Sequence, residues 1–167
     1  MAKKKKNTKL IVAAILVTIV VAAVVAGVYF VMSRGGAVAT ASALKFNVKI
    51  SYNETTLGDY VYRAKNVGTS NMTIRIETNS SDGKKIVYIV NGAQRKAWVY
   101  SSDEWRDYSD AFTTQWATRS SEMKEYTGKL AGWTSGDLTY TNTKGETVRI
   151  FNIAVNPSLD DSLFEPS

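Results

Sequence analysis

The 167-residue chain contains no cysteine, no histidine and only two prolines. Without cysteine there is no disulfide framework, and without either residue the usual zinc ligand sets are excluded. Ser-His and Cys-His nucleophile systems are excluded with them. The two prolines, Pro157 and Pro166, fall after strand-like alternation has stopped at Asn156. Acidic residues are missing from positions 1–34, which hold five lysines and one arginine, whereas the rest of the chain balances 15 basic against 15 acidic residues. The net charge of +6 therefore belongs to the N-terminal segment. A nucleic-acid partner is not expected, because phosphate binding needs a basic surface on the folded part.

Residues 10–32, "LIVAAILVTIVVAAVVAGVYFVM", carry no charge. At about 1.5 Å per residue they span a hydrocarbon core of about 30 Å. The run is longer than the roughly 7–15 apolar residues of a cleavable signal peptide, although Ala37-Val38-Ala39 has the small residues of a cleavage site. Lys3–Lys6 and Lys9 flank one end and Arg34 the other, so the positive-inside rule keeps the N-terminus in the cytoplasm. Tyr29 and Phe30 lie near the outer interface, where aromatic rings sit well. The expected organisation is a basic cytoplasmic tail (1–9), a transmembrane helix (10–32), a flexible tether (33–43) and an extracytoplasmic domain (44–167). The expected location is the cell membrane, single-pass.

From Leu44 the apolar period becomes two. Leu44, Phe46, Val48 and Ile50 alternate with polar residues, as do Tyr60 and Tyr62, Met72, Ile74 and Ile76, Ile86, Tyr88 and Val90, Trp98 and Tyr100, Leu138 and Tyr140, and Val148 and Ile150. This is the pattern of antiparallel strands with one apolar face. The phase slips near Phe151-Asn152, where a bulge would bring Ile153 and Val155 back onto the apolar face. Asp82-Gly83, Asn91-Gly92 and Lys144-Gly145 are hairpin turn signals. Between Ser109 and Leu130 the period is helical: Phe112, Trp116, Met123, Tyr126 and Leu130 share one stripe, with Ser109 as the expected N-cap. Threonines and serines weaken this helix and suggest two pieces.

A meander with one apolar face needs a cover, and one helix is narrow for seven or eight strands. The expected fold is therefore mainly β with one helical segment: a curved antiparallel half-barrel holding a helical plug. Parity and helical spacing direct Phe46, Tyr62, Ile74, Tyr88, Trp98, Phe112, Trp116 and Met123 into the space between sheet and plug. Aromatic and methionine side chains of this kind line apolar ligand sites, and they equally fill a core.

Two stretches resemble the LolA-like lipoprotein-carrier superfamily. "GKKIVYIVNGAQRKAWVYSSDEWRDY" is similar to its strand, hairpin and "K-x-W-x-Y" strand; "GETVRIFNIAVNPSLDDSLFEP" resembles its closing strand and "LF-x-x-P" ending. The resemblance implies a half-barrel with helices in its concave side and non-covalent binding of lipid or another apolar molecule. No lipobox cysteine is present and no amphipathic helix precedes Leu44, so anchoring falls to the transmembrane helix. Leu163 and Phe164 are expected to fold back over the sheet edge or the cavity rim.

Asn53, Asn71 and Asn79 each begin an N-glycosylation sequon on the expected outer side. The acidic run "DEWRDYSD" reads as a solvated helix start with Trp105 in the core, rather than a calcium loop, whose ligand spacing it lacks. No carboxylate or Ser-Lys constellation stands out, so the expectation is no enzyme, no metal and no cofactor. Membrane lipid and a protein of the cell envelope are the expected partners. The alternative reading is a structural or docking subunit of an envelope complex or filament.

Overall fold

The computed structural model describes residues 36–167. The expected tail and transmembrane helix, and residues 33–35 of the tether, lie outside the described residues. Among the described residues no helix is long and apolar enough to cross a membrane.

The period-two segments form eight strands: β1 (Ala43–Tyr52), β2 (Thr55–Lys65), β3 (Thr73–Asn79), β4 (Lys85–Asn91), β5 (Lys96–Ser101), β6 (Glu104–Asp107), β7 (Leu138–Thr141) and β8 (Thr147–Val155). They make one antiparallel sheet in the order β6-β5-β4-β3-β2-β1-β8-β7. The sheet is open, with the short strands β6 and β7 at its edges. The meander runs outward from β1 to β6, and the final hairpin returns to pair β8 with β1. One α-helix, α1 (Phe112–Lys129), follows β6 and packs on one face.

Alternation sorts that face from the other. Leu44, Phe46 and Val48 on β1 are fully buried under α1, as are Ile74 and Ile76 on β3 and Val148 and Ile150 on β8. The bulge expected near Phe151-Asn152 is present. The β1–β8 ladder shifts between the pairs Lys45–Ala154 and Asn47–Phe151, and Asn152 takes a positive φ of 53°. The extra residue lets Ile153 and Val155 pack against the same core as Val148 and Ile150.

Gly83 (φ 81°) and Gly145 (φ 77°) adopt left-handed conformations in the predicted turns. Gly92 has a different task. A Cβ there would lie 2.3 Å from the Ser70 carbonyl oxygen and 2.7 Å from the Trp116 ring. The left-handed residue of this loop is Arg95 (φ 54°). Two tighter hairpins carry no glycine. Asn53 and Glu54 join β1 to β2, and Ser102 and Asp103 join β5 to β6, each pair with two positive φ values, as type I′ turns require. Of the acidic run read as a helix start, residues 103–107 thus belong to the β5–β6 hairpin, and Ser109 and Asp110 to the 3-10 turn that leads into the helix.

α1 is one continuous helix, preceded by a 3-10 turn at Ser109–Ala111. Ser109 does not cap it; its hydroxyl accepts a hydrogen bond from the Ala97 N–H. Of the stretch expected as a tether, residues 36–42 pack against the domain. Val38 and Ala41 are buried, and the Gly36 N–H donates to the Ala131 carbonyl at 2.9 Å. After β8 the chain crosses to the face opposite α1. The Asn156 side chain accepts from the Ser42 and Ala43 N–H groups, and a 3-10 turn at Asp161–Phe164 lies against β3 and β4. Phe164 is buried there, on the sheet face rather than over an edge or the rim of the helix side.

Candidate functional site

The helical stripe places Phe112, Trp116, Met123, Tyr126 and Leu130 toward the sheet, as the spacing predicts. Phe46, Tyr62, Ile74 and Met123 come together in the main core, with Tyr88 and Trp116 packed against it. Phe46 and Tyr62 stack at 5.2 Å between ring centroids, and Tyr126 meets both edge-on. Phe112 belongs to a smaller cluster with Val90 and Ala97, which Trp116 joins to the main core. These residues fill one another's space.

Trp98 departs from the expectation that all the strand members share one face. The four-residue loop 92–95 pairs Asn91 with Lys96, which sets Tyr88 opposite Val99 and Ile89 opposite Trp98. Ala97 and Val99 therefore face α1, and Trp98 lies on the other face, with Ile89. The small Ala97 suits the space beneath Phe112. Trp105 pairs with Tyr100 on that same outer face and is half-buried, with ring centroids 5.4 Å apart. Asn53, Asn71 and Asn79 are all exposed.

The two flanks of α1 differ in chemistry. One flank forms a polar-aromatic seam. The Arg119 guanidinium lies 4.1 Å from the Tyr88 ring centroid and donates from Nη1 to both oxygens of Glu122, at 3.0 and 3.2 Å. Arg119 Nε is buried without a hydrogen-bond partner. The Tyr62 hydroxyl faces Glu122 at 3.4 Å, and the Tyr140 hydroxyl faces Glu125 at 3.3 Å. Burial, reinforced by the nearby Glu122 charge, raises the pKa of Tyr60 and Tyr62. Burial also pushes Tyr126 up to about 12. These phenols stay protonated and pack as neutral rings with one polar tip.

The other flank forms a cleft of about 510 Å³ between α1 and the β2–β3 connection. Met72, Trp116, Met123 and Val67 give it apolar walls, and Thr69, Ser120, Ser121, Lys124 and Thr127 give it a polar mouth. Met72 and Met123 are 6% and 1% exposed, so they form a fixed floor. The facing loop is held by its own hydrogen bonds. Asn66 and Gly68 take positive φ, the Thr69 hydroxyl donates to the Asn66 carbonyl at 2.8 Å, and the Gly92 N–H donates to the Met72 carbonyl at 2.9 Å. Of the eight residues singled out from sequence, Trp116 and Met123 line this cleft. Ser120 and Ser121, read from sequence as helix-weakening, supply the small side chains that leave it open. The loop residues Val67 and Thr69 carried no periodic signal.

Among the described residues no group of three acidic side chains converges as a metal site. Comparison with protein-family models and with curated proteins finds no match.

Proposed function

We propose that this chain is a membrane-anchored, extracytoplasmic protein that holds lipid or another apolar molecule non-covalently, without catalysis. In this reading residues 10–32 cross the membrane, the sheet curls around α1 as a LolA-like half-barrel, and α1 is its plug. The proportions support curling. Eight strands at about 4.8 Å spacing are roughly 38 Å across, whereas the 18 residues of α1 extend about 27 Å and cover only a strip about 10 Å wide. An antiparallel sheet with a helix packed on one face is compatible with the half-barrel and plug of this reading.

The observation that carries the functional reading is the cleft beside α1. It has a size suited to small ligands, a buried Met-Met floor, a tryptophan wall and a hydroxyl-rich mouth. The close-packed Phe46, Tyr62 and Ile74 leave the ligand to this flank rather than to the centre of the sheet.

The test uses the full chain reconstituted in a bilayer with a photoreactive alkyl probe. Labelling is expected on peptides carrying Met72, Trp116 and Met123. Ser120→Trp should abolish it by filling the cleft from a half-buried position. Labelling that avoids these peptides in folded protein, or that survives Ser120→Trp, overturns the binding reading. Protease added outside intact cells should remove the domain and leave the lysine-rich tail protected; a protected domain overturns the proposed topology.

One observation favours the docking reading. Tyr52 and Leu57 are 50% and 54% exposed at the tip of the β1–β2 hairpin, where Leu57 sits at a break in register. An apolar tip of this kind suits a protein partner in the envelope. Glycosylation at the neighbouring Asn53 would disfavour it, and mass spectrometry of the native protein decides that point.

A further inference from the structure

We infer that the cleft selects a single-chain amphiphile with an anionic head, held at its mouth by Lys124; this rests on the binding reading above and adds the charge of the ligand. The helix sorts its charges by flank. Glu122 is engaged by Arg119, and Glu125 faces Tyr140, both on the seam side. On the cleft side the lining contains one charged residue, Lys124, and no carboxylate. Among the described residues Lys124 forms no salt bridge, whereas Arg119, on the seam side of the same helix, is paired with Glu122. An unpaired ammonium one turn beyond Ser120 and Ser121 places a cation and hydroxyl donors around one opening.

The depth order fits the same ligand. Met123 and Met72 are innermost and nearly inaccessible, Trp116 and Ser120 are half-buried, and Ser121 and Lys124 are exposed. An apolar chain entering between α1 and the β2–β3 loop would thus end against sulfur and aromatic surface, and its head would remain at the ammonium, still hydrated. A cationic head would meet the like charge of Lys124 with no acid in the cleft lining; Glu125 shares only the neighbouring helix surface with Ser121 and Lys124. At about 510 Å³ the cleft lies in the lower half of the range of roughly 300–1,000 Å³ typical of small-molecule sites, which suits one chain rather than several. The shared chemistry is an alkyl chain with a carboxylate or phosphate head.

The experiment compares three photoreactive dodecyl probes on the full chain in zwitterionic bilayers: one with a carboxylate head, one with a phosphate head and one with a trimethylammonium head. The readout is labelling of the Met72 and Trp116–Met123 peptides relative to label elsewhere in the chain. Both anions are expected to label the cleft about threefold more than the cation, in line with an exposed charge pair. Lys124→Ala should level the three, and Lys124→Glu should reverse the order; Lys124 is exposed, so neither variant disturbs the core. A difference between carboxylate and phosphate arms identifies the head. Equal labelling by all three probes, unchanged in both Lys124 variants, overturns the charge inference and leaves the binding reading standing. Absence of cleft labelling by every probe overturns both.

Discussion

On one face of the sheet an 18-residue helix covers a continuous apolar field from Leu44 to Ile150; on the other a four-residue turn sets Phe164 against β3 and β4, whose outer residues Val87 and Ile89 are also buried. The helix face is held by area. Its paired charges are few and lie along one flank of α1. The outer face is held largely by charge around a small apolar island. Glu77 pairs with Arg63 and Arg75 at 2.7 Å and with Lys85 at 3.6 Å, Lys65 pairs with Asp161 and lies 5.5 Å over the Phe164 ring, and Arg75 donates to the Leu163 carbonyl at 2.6 Å. Salt does not screen apolar burial, whereas it weakens ion pairs, modestly where they are partly buried. The two covers should therefore fail under different conditions.

The largest separation is expected from truncating each face's aromatic anchor. Phe46→Ala should destabilise the chain by about 3–5 kcal/mol, since a fully buried ring in a stacked cluster leaves a cavity. Phe164→Ala should cost about 3 kcal/mol, at the low end, because the terminal segment can collapse onto the sheet. Denaturant titration of both variants checks the order. A larger loss for Phe164→Ala would make the outer cover the dominant one. Trp98→Ala should cost less than either, because Trp98 is half-buried on the outer face.

Next in size is Gly92→Ala, expected to cost about 1–3 kcal/mol by overpacking against the Ser70 carbonyl and the Trp116 ring. An unchanged midpoint would mean that the loop gives way freely. Since Trp116 walls the cleft, the same variant should also change the labelling pattern there.

The smallest effects sharpen the comparison through pH. On the helix face Tyr126 is raised by burial from 10.0 to about 12. Its contribution is complete below pH 10 and is lost as pH rises through 12. On the outer face, burial alone would raise Glu77, but the Arg75 hydrogen bond and the charges of Arg63, Arg75 and Lys85 outweigh it and leave its pKa lowered from 4.5. Its contribution is complete above pH 4.5 and is lost as pH falls through the lowered value. Alkali should thus loosen the helix side and acid the outer side. Tyr126→Phe should make the alkaline limb of a stability–pH profile shallower, Tyr60 and Tyr62 keeping the rest of it, and Glu77→Gln should do the same to the acid limb, each by about 1–2 kcal/mol. Limbs that respond to the opposite variant would sink the assignment.

The strands, the helical stripe and the β8 bulge were legible because each obeys a single period or a single slip in one. Trp98 was misassigned because β4 is apolar on both faces: Val87 and Ile89 are as buried as Val90. In such a strand alternation carries no directional information, and the facing strand's phase depends on loop length, which only the 91–96 pairing settles. β6 was hidden because its turn, Ser102-Asp103, reaches left-handed conformations without glycine. The cleft was hidden for a different reason. It arises where side chains are small and where an aperiodic loop stands beside a helix, and neither condition leaves a hydrophobic pattern to read.

The pairing of β8 with β1 also governs the order in which this domain can be completed. β1 gains β2 at once, through a two-residue turn, but its other edge waits for β8, the last strand among the described residues. Until β8 arrives, β1, an interior strand of the finished sheet, presents an open row of N–H and C=O groups. Val87 and Ile89 wait longer still for Phe164. Such long-range closure slows folding relative to local hairpins. A chain emerging N-terminus first therefore carries this open edge from the making of β1 until β8 is complete.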